Sequence, residues 1–348
     1  MDPNLDAAID IVEAAYDLQL PAEAWLPNLL WSGVYLFDLG MGCYAAISAG
    51  VSDEGVPVLT QIHDGPGAED LAMKAMEGAR EAGPPMVAEA SQAVQGRIYL
   101  LSEIRDRWPK AHEILTRRVG CKDILSVTAV DPDGRGIHIS MPSRQVCSLA
   151  PRDRRYWQML EVHLAAGHRL RRGLGQQGDV TGAPLTDIPM QAEALIDPSR
   201  FLVSQAIGAA KAKHAVTGIR EAARLVDRAR GPLRRQDPEE ALRLWKGLVR
   251  GKWTLVDWFD TDGRRFVLAK PNAPRVRDPR GLTEREAQVA TYASLGETSK
   301  LIGYRLGISQ SYVSRLLGDA MRKLGVKTQA QLVERMRMVE PESSSAAE

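Results

Sequence analysis

Cysteine is scarce in this chain. Cys43, Cys121 and Cys147 are the only three in 348 residues, and they form no C-x-x-C pair and have no histidine at zinc-ligand spacing. A disulfide scaffold and a zinc centre are thereby excluded, and buried free thiols in a reducing compartment are expected. Long apolar runs are missing too: none approaches the roughly 20 residues that cross a bilayer, so no membrane partner is expected. The opening residues Met1-Asp2-Pro3-Asn4-Leu5-Asp6 lack the basic-then-apolar order of a secretory signal, which places the protein in the cytoplasm. There is no G-x-x-x-x-G-K phosphate loop and no G-x-S-x-G nucleophile elbow. The six histidines are scattered, and His163 and His168, five apart on a helix, do not share a face. No catalytic residue, metal ligand or cofactor is expected, and the chain is not read as an enzyme.

Net charge is also nearly absent, at +1 from 45 Lys+Arg and 44 Asp+Glu, but the total hides an asymmetry. Residues 1–100 hold 15 acids and 3 bases, leaving 29 acids and 42 bases for the rest. A basic C-terminal part points to a polyanionic partner, most simply nucleic acid. The other reading is an acidic region held against a basic one. The apolar fraction of 44% and charged fraction of 26% are those of an ordinary globular protein, and the length predicts two or three folded units.

The spacing of Leu5, Ala8, Ile9, Val12, Ala15, Tyr16 and Leu20 predicts an opening amphipathic helix. Short β-rich runs follow, Val34-Tyr35-Leu36-Phe37 and Tyr44-Ala45-Ala46-Ile47. The G-x-G-x-x-A between them, from Gly40 to Ala45, reads as a hairpin turn, because a strand pattern follows where a dinucleotide site needs a helix. Helical spacing returns over 68–80, and Ile98 to Val119 reads as mainly helical. A β-hairpin spans Ile124–Val130 and Gly136–Met141 around Asp131-Pro132-Asp133-Gly134, and a helix from Pro151 to Leu174 closes the unit. This order of elements resembles a GAF-like α/β sensor module.

Gly173 to Pro198 reads as a linker, and Arg200 to Arg230 as a basic helix with a solvated face. A helix through Leu242, Trp245 and Leu248 then precedes two strands, Trp253–Phe259 and Arg265–Ala269. Trp245, Trp253 and Trp258 are expected to make the core of this small unit rather than a ligand cage. The expected fold class is α+β. Its domains are a sensor at 1–174, linker and basic helix at 175–238, a helix-plus-hairpin unit at 239–274, an all-α four-helix domain at 275–340, and a disordered tail at 341–348.

Residues 282–333 are punctuated as four short helices. Thr283 and Glu286 form a capping box, Gly296 stops the first helix, Ser299 starts the second and Gly307 ends it. Ser309 caps a third helix of about Gln310 to Lys323, and a fourth runs from about Thr328 to Arg337. Val313, Leu317, Ala320, Met321 and Leu324 form one apolar face of the third helix, leaving Ser311, Ser314, Arg315, Gly318 and Arg322 off it. A short helix, tight turn and second helix with a polar-plus-arginine face is the form of a helix-turn-helix reader. Between Ser299 and Lys327 stand six bases (Lys300, Arg305, Arg315, Arg322, Lys323, Lys327) and one acid, Asp319, an excess suited to phosphate neutralisation.

With Leu282-Thr283-Glu284-Arg285-Glu286, Lys300-Leu301-Ile302, Leu306-Gly307-Ile308-Ser309, Lys323-Leu324-Gly325-Val326 and Gln331-Leu332-Val333 in this spacing, the segment resembles the DNA-binding domain of LuxR-type transcriptional regulators. The resemblance implies base reading by Ser314 and Arg315 and phosphate contact by Lys300, Ser311, Tyr312 and Lys323. Ser309, Gln310, Gly318 and Arg322 complete the expected interface. The sequence departs from the family at Leu301, where an acid is usual, at Gly303, at Ser314, where a lysine is usual, and at Gly318, a position that often reads a base. The implied partners are double-stranded DNA, a second copy of the chain and RNA polymerase, with activation the commoner outcome. Leu332, Val333 and Met336 form either a dimer seam or part of the domain's own core. The first part shows neither the acidic pair of a receiver nor the W-x-x-x-Y and Y-x-x-x-D-P spacing of a lactone pocket. Its signal is a small molecule or a protein, and its acids could mask the basic half until that signal arrives. The competing reading is a helix-turn-helix turned docking surface, with Gly303, Ser314 and Gly318 as marks of lost readout.

Overall fold

The computed structural model describes residues 5–131, 134–175, 188, 192–231, 233–245, 253–260, 262–271, 282–324 and 326–337. The chain divides into two compact units, one of Met1–Trp245 with Leu255–Ala269, the other of Lys246–Thr254 with Lys270–Glu348. The fold mixes helix and sheet.

The first unit opens with α1 (Leu5–Ala15), α2 (Ala22–Ser32) and the short α3 (Val34–Phe37). Strands β1 (Tyr44–Val51) and β2 (Pro57–Asp64) precede α4 (Leu71–Ala82), α5 (Pro84–Val94), β3 (Ile98–Leu100) and α6 (Pro109–Val119). Then come β4 (Asp123–Val130), β5 (Arg135–Ser143) and the long α7 (Pro151–Gly175). The five strands form one antiparallel sheet in the order β2-β1-β5-β4-β3. Helix α7 packs against β3, β4 and β5, and α4 against β1 and β2. Leu125 and Val127 of β4 and Ile137, Ile139 and Met141 of β5 have no accessible surface, and burial of each such side chain contributes about 1.5–3 kcal/mol.

The opening helix forms as its 3,4 spacing predicts, with Ala8, Ile9, Val12 and Ala15 fully buried. It lies close to α7 because Gly167 has no side chain: a Cβ there would stand 2.3 Å from the Ala15 carbonyl oxygen. His163 of α7 is buried and meets the Tyr16 hydroxyl at 3.1 Å, and His168 lies against the Trp25 ring, so both are packing residues. The hairpin β4–β5 and helix α7 fall where the sequence places them.

Other expectations are corrected. Val34–Phe37 is a helical turn and not a strand: the Leu36 and Phe37 amides donate to the Gly33 carbonyl at 2.8 Å, and Phe37 is buried with its ring stacked on Trp157. The Gly40–Gly42 segment is therefore no hairpin turn; it is a loop in which Asp38 Oδ1 accepts from both glycine amides at 2.7 Å. The partner of β1 is β2, and Ile98–Leu100 is an edge strand inside a stretch read as helical.

The region read as linker and basic helix contributes a second sheet. β6 (Ala194–Asp197) and β7 (Leu202–Ala206) pair antiparallel, and after α8 (Lys213–Arg230), α9 (Leu233–Gln236) and α10 (Pro238–Leu244) come β8 (Trp253–Phe259) and β9 (Arg265–Pro271). The order is β7-β6-β9-β8, so the late hairpin is joined to strands some 70 residues earlier. Trp245 and Trp253 are buried, as a core role requires, while Trp258, expected with them, is half-buried with its ring 5.7 Å from that of Phe266.

The charge asymmetry is partly settled inside this unit. Arg230 of α8 pairs with Glu13 at 3.2 Å and with Asp257, Arg234 pairs with Asp10, and Arg265 bridges Asp227 and Asp257. The last arginine of the basic helix, Arg230, is thus paired with neighbouring acids, as are Arg234 of α9 and Arg265 of β9. Cys43 and Cys121 are buried free thiols, raised by burial to about 12 and about 11, while Cys147 is half-buried.

The second unit holds α11 (Glu284–Ser294), α12 (Ser299–Leu306), α13 (Gln310–Leu324) and α14 (Gln329–Arg337). Their core gathers Val289, Ala290 and Ala293, Ile302 and Leu306, Val313, Leu316, Ala320 and Leu324, with Leu332 and Met336. The buried stripe of α13 runs through Val313, Ala320 and Leu324 and extends on one side to Leu316, which the spacing argument left out; Leu317 and Met321 lie at its other, partly buried border. Leu332 and Met336 being buried here, they serve the domain's own core.

Candidate nucleic-acid interface

Local chemistry fixes each helix of the second unit at its ends. Thr283 Oγ1 accepts from the Glu286 amide at 3.3 Å while Glu286 Oε2 accepts from the Thr283 amide at 2.7 Å, a reciprocal cap that satisfies two otherwise unpaired donors. Thr298, one residue before the expected start, caps α12 through the Leu301 amide at 3.3 Å. Gly307 ends α12 in the left-handed region at φ 65°, a conformation that costs glycine little. Ser309 Oγ then accepts from the Tyr312 amide at 3.2 Å and starts α13.

The turn between α12 and α13 is closed by Gly303. Its carbonyl accepts from the Ile308 amide at 2.9 Å, and a Cβ on it would stand 2.8 Å from the Ile308 carbonyl oxygen. Glycine at 303 is thus required by the helix-turn-helix geometry. It is no mark of decay.

Six residues of α13 are exposed along one side: Gln310, Ser311, Ser314, Arg315, Gly318 and Arg322. At about 100° per residue they occupy an arc of about 140°, opposite the buried stripe. Arg315 stands at one end of this arc, with Gly318 near the middle, and its guanidinium lies 4.8 Å from the ring of the half-buried Tyr312. Ser314 Oγ donates to the Gln310 carbonyl at 3.2 Å, and Ser309 and Ser311 hydroxyls meet at 3.1 Å. Nothing lies within 4 Å of where a Cβ on Gly318 would be, so this helix side is open to a close-approaching surface. Lys300, in the first turn of α12, is exposed as well.

Not every base counted in the sequence belongs to this surface. The Arg305 side chain is 3% exposed, bonded to Glu297 at 2.7 Å and set over the Tyr292 ring at 4.7 Å, so its charge is neutralised inside the domain. Lys323 is exposed, about 150° around the helix from the centre of that arc and about 80° from Arg315 at its end. Its ammonium meets Glu286 Oε2 at 2.7 Å, tying α13 to the cap of α11. Burial pushes the Glu286 carboxyl up, but the bonds from Lys323 and Thr283 outweigh it and hold the group below the usual carboxylate range. Arg322 pairs with Asp319 one turn back. Sequence reading missed the role of Glu297: it meets Arg305 across the interhelical turn, eight residues away, where helix periodicity gives no signal.

The family model of bacterial regulatory proteins of the luxR family, GerE, matches residues 280–336. The second unit therefore carries a LuxR-family helix-turn-helix domain, which supports DNA-binding transcription regulation. The match does not extend to the first unit, and the GAF-like expectation for 1–174 gains no support from it. No curated protein matches the chain. Among the described residues no helix is long and apolar enough to cross a membrane, and no group of three or more His, Cys, Asp or Glu could hold a metal ion.

Proposed function

We propose that this protein is a sequence-specific DNA-binding transcription regulator whose first unit, a GAF-like sensor by its order of elements, controls its action on DNA. The observation that carries the reading is the exposed Ser314–Arg315–Gly318 side of a helix capped at Ser309 and braced from behind by Val313, Leu316 and Ala320. A side chain on such a rigid support reads a groove at low entropic cost, and an arginine matched to a guanine edge discriminates by about 1–3 kcal/mol. Lys300, Ser311 and Tyr312 anchor the phosphates, with Ser309, Gln310 and Arg322 beside them. Lys323 supports the domain through Glu286. The protein acts as a homodimer and, by the habit of its family, as an activator meeting RNA polymerase. With Leu332 and Met336 enclosed in the core, pairing through α14 rests on residues other than these two.

Genome-wide DNA selection with the full chain, alongside an Arg315→Ala, Lys300→Ala double variant, tests the reading. One inverted-repeat motif enriched by the natural protein and not by the variant is the expected result. Equal enrichment by both would overturn the assignment of the reading face, and enrichment by neither, nor by residues 275–348 alone, would favour a docking surface. A band-shift comparison of the full chain with residues 275–348 tests control by the first unit: it predicts unequal affinities, and equal ones would remove that part of the proposal.

A further inference from the structure

Helix α8 of the first unit has two sides of unlike use. Ala215, Ile219, Ala222, Ala223, Val226 and Ala229 are buried. On the opposite side Lys213, Arg220, Arg224 and Arg228 fall within an arc of about 80° and form a line of cations about 22 Å long. Lys213, Arg224 and Arg228 are exposed and Arg220 is half-buried. Arg200 and Lys211, both exposed, precede them in the chain, and from Pro198 to Arg220 no acid occurs, although acids make up 44 of the 348 residues.

The fold leaves these charges unused. Arg230, at the end of the same helix, pairs with Glu13 and Asp257, but none of Lys213, Arg220, Arg224 and Arg228 is in an ion pair among the described residues. The acids around them are engaged elsewhere or stand apart. Asp227 is held by Arg265 at 2.9 Å, Asp197 by Arg264 at 2.9 Å, and Glu240 of α10, which feels the charge of Arg228, by Arg243 at 2.6 Å. Glu221, at the border of the stripe, bonds to none of its cations. Arg224 is set over the Phe201 ring at 5.6 Å, which orders its guanidinium without neutralising it. Like charges four residues apart repel along a helix, and Lys213 stands at the positive end of the helix dipole, where Ala212 gives no side-chain cap. The stripe therefore lowers the stability of α8, an effect that a polyanion laid along it reverses.

A DNA duplex carries one negative charge per about 1.7 Å of axis, so a line of cations this long meets phosphates along its whole length, whatever the bases. No large apolar side chain of α8 is exposed to serve as the anchor that a protein groove or a lipid surface would take. Arginine, which supplies most of the stripe, fits a phosphate with a planar pair of donors. We propose that the Lys213–Arg228 side of α8 is a second DNA-binding surface, which grips the phosphate backbone without reading sequence. It deepens the DNA-binding reading and rests on it. Sharing a chain with the helix-turn-helix, it adds affinity for DNA of any sequence and leaves the choice of motif to α13.

Band shifts of the full chain on a duplex of random sequence, at varied salt, test the surface. The triple change Arg220→Gln, Arg224→Gln, Arg228→Gln should flatten the slope of log K against log salt by about 2–3, close to 0.9 for each lost phosphate contact, while Arg220→Lys, Arg224→Lys, Arg228→Lys, which keeps the charge, should leave it nearly unaltered. The motif enriched in genome-wide selection should be the same for the natural protein and the glutamine variant. Should the triple glutamine variant fail to fold, Lys213→Gln with Arg224→Gln, at two exposed positions, should flatten the slope by about 1–2. An unchanged slope in the folded glutamine variants, an equal flattening by lysine, or tighter binding by the glutamine variant would overturn the proposal, the last because it would give the stripe to an acidic segment of the chain. Absence of any salt-dependent binding by the natural protein would sink the DNA-binding reading and this surface together, whereas an unchanged slope with the motif still enriched sinks the surface alone.

Discussion

Two glycines in the helix-turn-helix should answer the same substitution with opposite signs. In a helix interior, alanine is favoured over glycine by about 0.5–1 kcal/mol, because the glycine backbone loses more freedom on folding. At Gly318 that gain is unopposed, since no atom lies within 4 Å of the new methyl, and Gly318→Ala should stabilise the domain by about that amount. At Gly303 the methyl would sit 2.8 Å from the Ile308 carbonyl oxygen, a backbone atom that moves only if the turn moves. Overpacking costs about 1–3 kcal/mol, so Gly303→Ala should end net destabilising by up to about 2 kcal/mol, and it should re-aim α13 as the turn shifts. Hydrogen exchange at the α12 and α13 amides of the full chain measures this locally, without requiring the two units to unfold together. Protection should rise in Gly318→Ala and fall in Gly303→Ala. Raised protection in both would refute the close approach at the turn. If Gly318→Ala stabilises but weakens DNA binding, the missing side chain is needed by the DNA surface and not by the fold.

Removing Arg305 should act on stability first: with both side chains of the Arg305–Glu297 pair almost wholly buried, Arg305→Met takes the arginine from a buried carboxylate and should cost about 3–5 kcal/mol, read as lost protection throughout α11–α13. The double change Arg305→Met, Glu297→Leu should recover most of that, and failure to recover would mean that Arg305 serves a purpose beyond the pair. In band shifts at varied salt, Lys300→Ala should flatten the slope of log K against log salt by about 1, as expected for one lost phosphate contact, and an unchanged slope would remove Lys300 from the interface. The half-buried His138, whose Nε2 is enclosed without a hydrogen-bond partner, sets a pH dependence. Its folded value of about 4 lies below the unfolded value of about 6.5, so the unfolded chain takes up the proton first and stability falls as pH drops through that window, by about 3 kcal/mol in all. His138→Gln should flatten the fall seen in exchange from β5, and an identical pH profile in the variant would place the histidine in a solvated setting.

What was legible in the sequence follows the range of the forces at work. The ends of α11, α12 and α13 are set by contacts three to five residues long, such as Thr283 with Glu286, Gly303 with Ile308 and Ser309 with Tyr312, and these stand in the sequence as residue types at fixed offsets. The β4–β5 hairpin was readable for the same reason. The second sheet was only half readable: β8 and β9 form where their spacing places them, but β6 is four residues long and its partner β9 lies across α8, α9, α10 and β8, so neither length nor periodicity marks β6 as a strand. Val34–Phe37 has strand composition, yet packing of Phe37 on Trp157 beside the side-chain-free Gly33 holds it in a helical turn, a tertiary contact overriding local propensity. Charge counting failed in a related way, because it assigns every base to the surface. Arg305 shows the error most clearly: the sequence offers it as one of six cations for phosphate, and the fold encloses it with Glu297 under Tyr292. The DNA surface we propose for the second unit is therefore smaller than the charge suggested. On that proposal it uses Lys300 and the side of α13 that displays Arg315, and a single substitution at 315 should cost it sequence preference before it costs it affinity for DNA in general.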